Sequence, residues 1–337
     1  MQRRCLLAGL LALPEFTVRR ISAAGLVPSG PLRSSSDNQI IENFDIAAPS
    51  GDALTISHRG VVVRNCRIRH ATGHGVNADD CAGLVLQNLE VVRRAPSTPG
   101  MEHFNNIQLS HCPNSVVTDV RATSGSSNIY IEYSQNCRVS SMELHDARGP
   151  FPRGQNVQFN QSPSCILEDF SAENGPTSWT EDNVSVFESN GCTVRRGLVF
   201  YNNSPTGDGV MLEGSFDCLV QDVDAVQQGN GAFSAVPAED ARSGGCVFLR
   251  CRTRASYNAP RDGRPAPESG GLSFYMQTSS GARKHTVADC HYDHLANRQN
   301  LIWDVRGVNA GFSLTPMAFR AREPIRLRFP WSETDPP

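Results

Sequence analysis

The sequence predicts an all-β chain, a single right-handed parallel β-helix (solenoid) of about nine coils with irregular terminal caps. Three observations predict it. Cys112, Cys137, Cys165, Cys192, Cys218 and Cys246 recur at intervals of 25, 28, 27, 26 and 28 residues, the self-similarity of a stacked repeat. Before each of the first five lies a segment of strict apolar/polar alternation: Asn106–Ser110, Asn128–Glu132, Asn156–Asn160, Asn183–Phe187 and Gly209–Glu213. Such alternation marks strands with one buried face. Between them no stretch carries a long 3.6-residue period, so helical crossovers are excluded and the chain returns to the same sheet through turns and further short strands. Parallel crossovers are right-handed in nearly all cases, which sets the hand.

Taken in order, residues 1–36 read as an export signal and leader, 37–311 as the β-helix and 312–337 as a C-terminal cap or tail. Met1-Gln2-Arg3-Arg4 followed by the apolar run Cys5 to Pro14, with Ser22-Ala23-Ala24 as the cleavage region, resembles a twin-arginine signal and predicts a periplasmic or secreted protein. No run reaches the ~18 apolar residues of a membrane span. The repeat can be followed back through Gly75–Asp79 to strands at Leu54 and Val61, and forward through Gly271–Tyr275 and Asn300–Asp304. Gly/Pro-rich insertions interrupt it at 237–242 and 259–269. From Phe312 the repeat is lost, where an open sheet edge needs a cap.

Of the 337 residues, 31 are basic and 34 acidic, giving a formal charge of −3 and a pI near 6.3. Without a basic surplus, nucleic acid is excluded as the expected partner. The recurrent cysteines lack the close C-x₂-C pairs of a metal site, so they are expected to stack inside as reduced, buried thiols. The asparagines that open four of the five alternating segments, Asn106, Asn128, Asn156 and Asn183, are read as a turn ladder.

Alternation also predicts which side chains face outward. With Ile129 and Ile131 inside, Tyr130 and Glu132 point out, and the same parity places Asp79, Gln108, Ser110, Gln158, Asn160, Ser185, Phe187, Met211 and Glu213 on one outer face. Coils stack about 4.8 Å apart, so equivalent residues meet successive atoms of an extended ligand such as a polysaccharide. The loops entering this face, 94–104, 145–155, 175–182 and 202–208, are long, and long loops on a rigid scaffold are where binding groups sit.

Two stretches, Asn106-Ile-Gln-Leu-Ser-His-Cys112 and Arg148-Gly-Pro-Phe-Pro-Arg153, give the chain a resemblance to the pectin-lyase-like superfamily of carbohydrate-active β-helices. The first is similar to the Val-Trp-Ile-Asp-His strand of its pectate lyase branch, the second to the Arg-x-Pro-x-x-Arg pattern. The resemblance implies a lyase that cleaves a uronic-acid-containing glycan by β-elimination, with Arg148 abstracting the proton, Arg153 binding substrate and calcium gripping the uronate carboxylate. Ser110 stands where the family has an acid, Val157 where it has a histidine, and the supporting lysine is missing.

Arginine, with a pKa above about 12, is a difficult base, so His145 and Tyr130 compete for proton abstraction. Glu132 and Asp79 are the expected calcium ligands, although two coils place them about 9.6 Å apart. Gln108, Gln158, Asn160, Asp182, Asp208 and Glu213 are the expected substrate-binding groups beside Arg153. A glycoside hydrolase is the rival reading: Asp182 and Asp208 share one repeat position a coil apart, and acids two coils apart on the outer face suit an inverting pair. Gly73-His74-Gly75 resembles a polygalacturonase motif, but the aspartates Asp79 and Asp80 follow it instead of preceding it. A uronate epimerase and a non-catalytic glycan-binding surface protein complete the alternatives.

Overall fold

A computed structural model describes residues 25–94, 103–149, 154–175, 178, 180–202, 204, 206–255, 272–294 and 301–322. The residues of the proposed leader before 25, the insertion at 259–269 and Arg153 lie outside them. Two parallel sheets wind along one axis. An 11-stranded sheet carries the predicted outward face, and a 15-stranded sheet forms the back. The first and last strands of the smaller sheet, Leu32–Arg33 and Ile302–Trp303, are two-residue stubs, and between them run about nine full coils, as the repeat predicts. The solenoid is longer than its sequence boundaries. Val27–Ser29 already pairs in the back sheet, and Leu314–Pro316 still does, because backbone pairing continues where the side-chain repeat has faded. Among the described residues no helix is long and apolar enough to cross a membrane.

The alternating segments form strands in register. Ile129–Glu132 pairs with Ile107–Ser110 on one side and Val157–Asn160 on the other, and Val184–Phe187 and Asp208–Glu213 follow. The long back strands share a bend at one repeat position. Asn65, Asn88, Asp119, Ser141, Asp169, Arg196 and Asp222 all take φ between 52° and 57°, and the pairing skips them. Asn and Asp tolerate this left-handed region. Arg196, a less natural occupant, is clamped by Asp169 and Glu168. Outside the bend, Asp45, Arg67, Glu90, Arg121 and Glu143 occupy one register column, an alternating-charge ladder of the kind that stabilises neighbouring strands.

The interior carries two stacked columns. Cys112, Cys137, Cys165, Cys192, Cys218 and Cys246 are all buried and free. From Cys137 onward each thiol points back to a carbonyl of an earlier coil, for instance Cys165 Sγ to Ser134 O at 3.3 Å and Cys218 Sγ to Ser189 O at 3.2 Å. The asparagine ladder is the other interior column. Asn106 Nδ2 donates to Asn128 Oδ1 (2.7 Å), Asn128 to Asn156 (2.6 Å), Asn156 to Asn183 (3.0 Å) and Asn183 to Gln228 Oε1 (3.1 Å). His70 Nε2 meets Asn106 Oδ1 at 2.6 Å to start the series. Burial outweighs this contact and holds the His70 ring at a pKa of about 4.

Replacing Asn128 by leucine removes the acceptor of Asn106 and the donors to Asn156 and to the His145 carbonyl. Leaving buried polar groups unmatched in this way is expected to lower stability by about 2–4 kcal/mol. Urea unfolding followed by circular dichroism measures it; a loss below about 0.5 kcal/mol would show that the ladder is ornament to the coil stack.

Candidate functional site

The outward column of the smaller sheet runs Asn77, Gln108, Tyr130, Gln158, Ser185 and Met211, and beside it Asp79, Ser110, Glu132, Asn160, Phe187 and Glu213. Its first four coils open into a groove of about 520 Å³. Asn77, Asp79, Gln108, Ser110, Tyr130, Glu132 and Gln158 line its floor, and His74, His103, Asn105, His111, Ser127, Gly154 and Gln155 line its rim. A concave, polar-lined cleft on a rigid sheet is where a binding or active site is expected.

The floor is braced internally. Glu132 Oε1 accepts from Ser110 Oγ at 2.6 Å and from Gln108 Nε2 at 3.0 Å, while Gln108 Oε1 accepts from Asn105 Nδ2 at 2.6 Å. Tyr130 Oη accepts from Asn160 Nδ2 at 2.7 Å. At the rim the Asn105 backbone N–H donates to His74 Nδ1 at 3.0 Å. That contact assigns the neutral ring's proton to Nε2. Burial lowers the His74 pKa, although Asp52 pulls the other way. Asp79, at the open end, lies 3.4 Å from His111 Nδ1, and His111 stacks on Tyr133 with ring centres 5.1 Å apart.

A second polar cluster begins on the next coil, where Asp182 follows Gln155 in the repeat, and continues to Asp208 one coil beyond. Asp182 and Asp208 are almost fully buried, and the Asp208 N–H donates to Asp182 Oδ1 at 2.7 Å. Burial pushes Asp208 up to about 7, outweighing the nearby Ser234 and Asn230 side chains, which favour its charged form. Asp182 is pushed well up by burial and then by the charges of Glu181 and Asp208. Glu213 rises too, through burial and Glu188.

The expected site residues therefore divide. Gln108, Tyr130, Glu132, Gln158 and Asp79 meet in the groove, and Asn160 supports Tyr130. Asp182 and Asp208 form the separate buried pair. His145 and Arg148 do not line the groove. His145 ends the back strand Arg138–His145, and its Nε2 lies 3.0 Å from Glu143 Oε1 in the charge ladder. Arg148 follows at the corner between the sheets, where its N–H bonds the Gly125 carbonyl and Nη2 donates to Ser124 Oγ at 3.3 Å. The motif that nominated it shares spacing with the pectate lyases, and residues 150–153 of that turn, Arg153 among them, lie outside the described residues. Glu132 and Asp79 are separated by Ser110's strand, and among the described residues no three His, Cys, Asp or Glu side chains converge to hold a metal; the pair does not fit a shared calcium ion.

Sequence reading passed over several rim residues. Asn105, Ser127 and Gln155 each precede a ladder asparagine, so they occupy one repeat position, a signal that was available in the spacing. Asn77 follows from the parity that identified Asp79. His103 carries no such signal, while His111 stands at the histidine of the Val-Trp-Ile-Asp-His resemblance.

No family model matches the chain, and no curated protein matches it in sequence. Among solved structures it is similar to the A-module of a mannuronan C-5 epimerase from Azotobacter vinelandii, at 12% identity over 88% of this chain and 78% of that one, TM-score 0.52. It is also similar to an alginate lyase from Paenibacillus sp. str. FPU-7, at 9% identity over 86% of this chain and 98% of that one, TM-score 0.52. The likeness is one of fold. The shared fold is the right-handed parallel β-helix, and the chemistry has to be argued from the groove.

Because burial favours the neutral ring, His74 is expected to titrate below the 6.5 of a free imidazole. The unfolded chain then takes up a proton near pH 6.5 that the folded chain refuses, so this residue's contribution to stability is present above that pH and lost as pH falls below it. Nitrogen-15 NMR of labelled histidine gives the midpoint directly; a value above 6.5 would mean that Asp52 outweighs burial.

Proposed function

We propose that the chain is a polysaccharide-active enzyme that hydrolyses a glycosidic bond in the groove, with Asp79 and Glu132 as its acid and base. The observation that carries this reading is that both carboxylates face one cleft from equivalent positions two coils apart. Two coil steps are about 9.6 Å of backbone. Inverting glycosidases hold their carboxyl groups about 6.5–9.5 Å apart so that a water fits beside the sugar, and short side-chain rotations bring this pair into that range.

Glu132 is suited to the base. Ser110 and Gln108 both donate to its Oε1, which fixes it as an acceptor and leaves its other oxygen for the attacking water. Asp79, more exposed and at the open end of the groove, takes the acid role toward the leaving oxygen. Tyr130, Gln158 and Asn77 supply hydroxyl and amide groups to position sugar hydroxyls, which is the larger part of rate enhancement when a flexible polymer must be held for attack. An extended polymer lying along the axis meets the same face in each coil. The export signal read in the first 24 residues agrees with a substrate outside the cytoplasm.

A second reading, β-elimination from a uronate, is favoured by a separate observation: His74, its ring kept neutral by burial, and Tyr130, held by Asn160, share the same cleft. A neutral imidazole and a phenol are the parts of a proton relay beside a carboxylate.

The two readings separate in one assay. Hydrolysis of a panel of neutral and uronate polysaccharides is expected to give new reducing ends without the ultraviolet absorbance of an unsaturated sugar. Glu132→Gln and Asp79→Asn are each expected to lower kcat by about 10²–10⁴ with melting temperature little changed, and Tyr130→Phe by less. Reducing ends that arrive together with absorbance, abolished by Tyr130→Phe and not by Asp79→Asn, would replace hydrolysis by elimination.

A further inference from the structure

The buried pair of the second cluster has no part in the groove chemistry, and its surroundings are unusual. Asp182 and Asp208 are 4% and 1% exposed, and Asn230, on the next coil, is 8% exposed. Asn230 Nδ2 bridges the Thr206 carbonyl (2.8 Å) and Asp208 Oδ1 (3.3 Å). Two acceptor oxygens in this cluster, Asp208 Oδ2 and Asn230 Oδ1, are buried with no hydrogen-bond partner. The charges that act most strongly on Asp182 are those of Glu181, Asp208 and Glu213, all of one sign. Space for the carboxylates is kept by glycine. A Cβ at Gly231 would collide with Asp208 Oδ1, and one at Gly207 would press on Asp182 Oδ1 at 2.8 Å.

Buried carboxylates without a compensating cation are costly, and orphaned buried acceptors add to that cost. A hard cation removes both penalties at once. We infer that Asp182, Asp208 and the Asn230 side-chain oxygen form a cation site, of calcium type, between adjacent coils at the far end of the outward face. Carboxylate and amide oxygens are the ligands calcium prefers, and its flexible coordination accepts water or backbone oxygens for the remainder. Magnesium, which demands a near-ideal octahedron, fits a two-carboxylate site on rigid strands less well. The ion would tie the strand Asp208–Glu213 and the chain at Asp182 to the turn before Gly231–Val236. Its role is to fasten coils, and it stands or falls independently of what the groove does.

The test uses the whole chain freed of metal with a chelator. Calcium titrated by calorimetry is expected to bind one ion per chain and to raise the melting temperature, with magnesium far weaker, and terbium is expected to show emission sensitised by nearby Tyr275, whose phenol feels the Asp208 charge. Asp208→Asn and Asp182→Asn are each expected to weaken calcium binding at least 100-fold. Both replacements remove a buried charge, so the variants should fold; Glu132→Gln, in the groove, is expected to bind calcium as the parent does. Absence of any calcium-dependent heat, emission or melting shift in the parent chain would overturn the site, and so would calcium binding that survives Asp208→Asn but is lost in Glu132→Gln.

Discussion

The structure depends on one constraint, that the middle coils stack one buried polar side chain over that of the coil before. The series His70, Asn106, Asn128, Asn156, Asn183 and Gln228 is hydrogen-bonded from side chain to side chain within the interior. Most members also bind backbone carbonyls at the corner, as Asn106 does with Thr123, Asn128 with His145 and Asn183 with Tyr201. A slip of one residue would bury an apolar side chain against these carbonyls and turn the outward face inward. Loop length may vary from coil to coil, from 25 to 28 residues between cysteines, because the amide resets the register at each corner.

Register in turn creates the site. Once Ile129 and Ile131 are fixed inside, Tyr130 and Glu132 are fixed outside, and side chains from coils far apart in sequence line up on a common surface. Asp79 and Glu132 are 53 positions apart in the chain and two strands apart in the sheet. Strands hold such groups more rigidly than loops do, which suits chemistry that depends on the distance between two carboxylates. The same geometry makes the buried pair of Asp182 and Asp208 a different object: one coil apart and covered, they press like charges together where water does not screen them.

The fold was legible because its signals repeat. Period-two alternation located Ile107–Ser110, Ile129–Glu132, Val157–Asn160 and Val184–Phe187 to within a residue, and the cysteine interval located the coils. The ends were less legible, since Val27–Ser29 and Leu314–Pro316 pair through backbone with no repeating side chain to announce it. For the site, parity placed the floor residues, whereas the corner residues were nominated on other grounds, a short motif for Arg148 and base chemistry for His145. Arg148 and His145 come from the segment where the chain leaves the back sheet, and there a shift of two or three residues decides whether a side chain faces the groove or the back. Spacing within a short motif does not carry that information; the hydrogen bonds of Arg148 with Gly125 and Ser124 do.

The most direct measurement is a crystal structure of Glu132→Gln with an oligosaccharide of the polymer on which the parent chain shows activity. The account predicts a glycan chain lying along the solenoid axis across Asn77, Gln108, Tyr130 and Gln158, with one glycosidic oxygen within hydrogen-bond reach of Asp79 and an ordered water beside residue 132. Glycan bound to the back sheet, or seated over Asp182 and Asp208 with the groove empty, would contradict it.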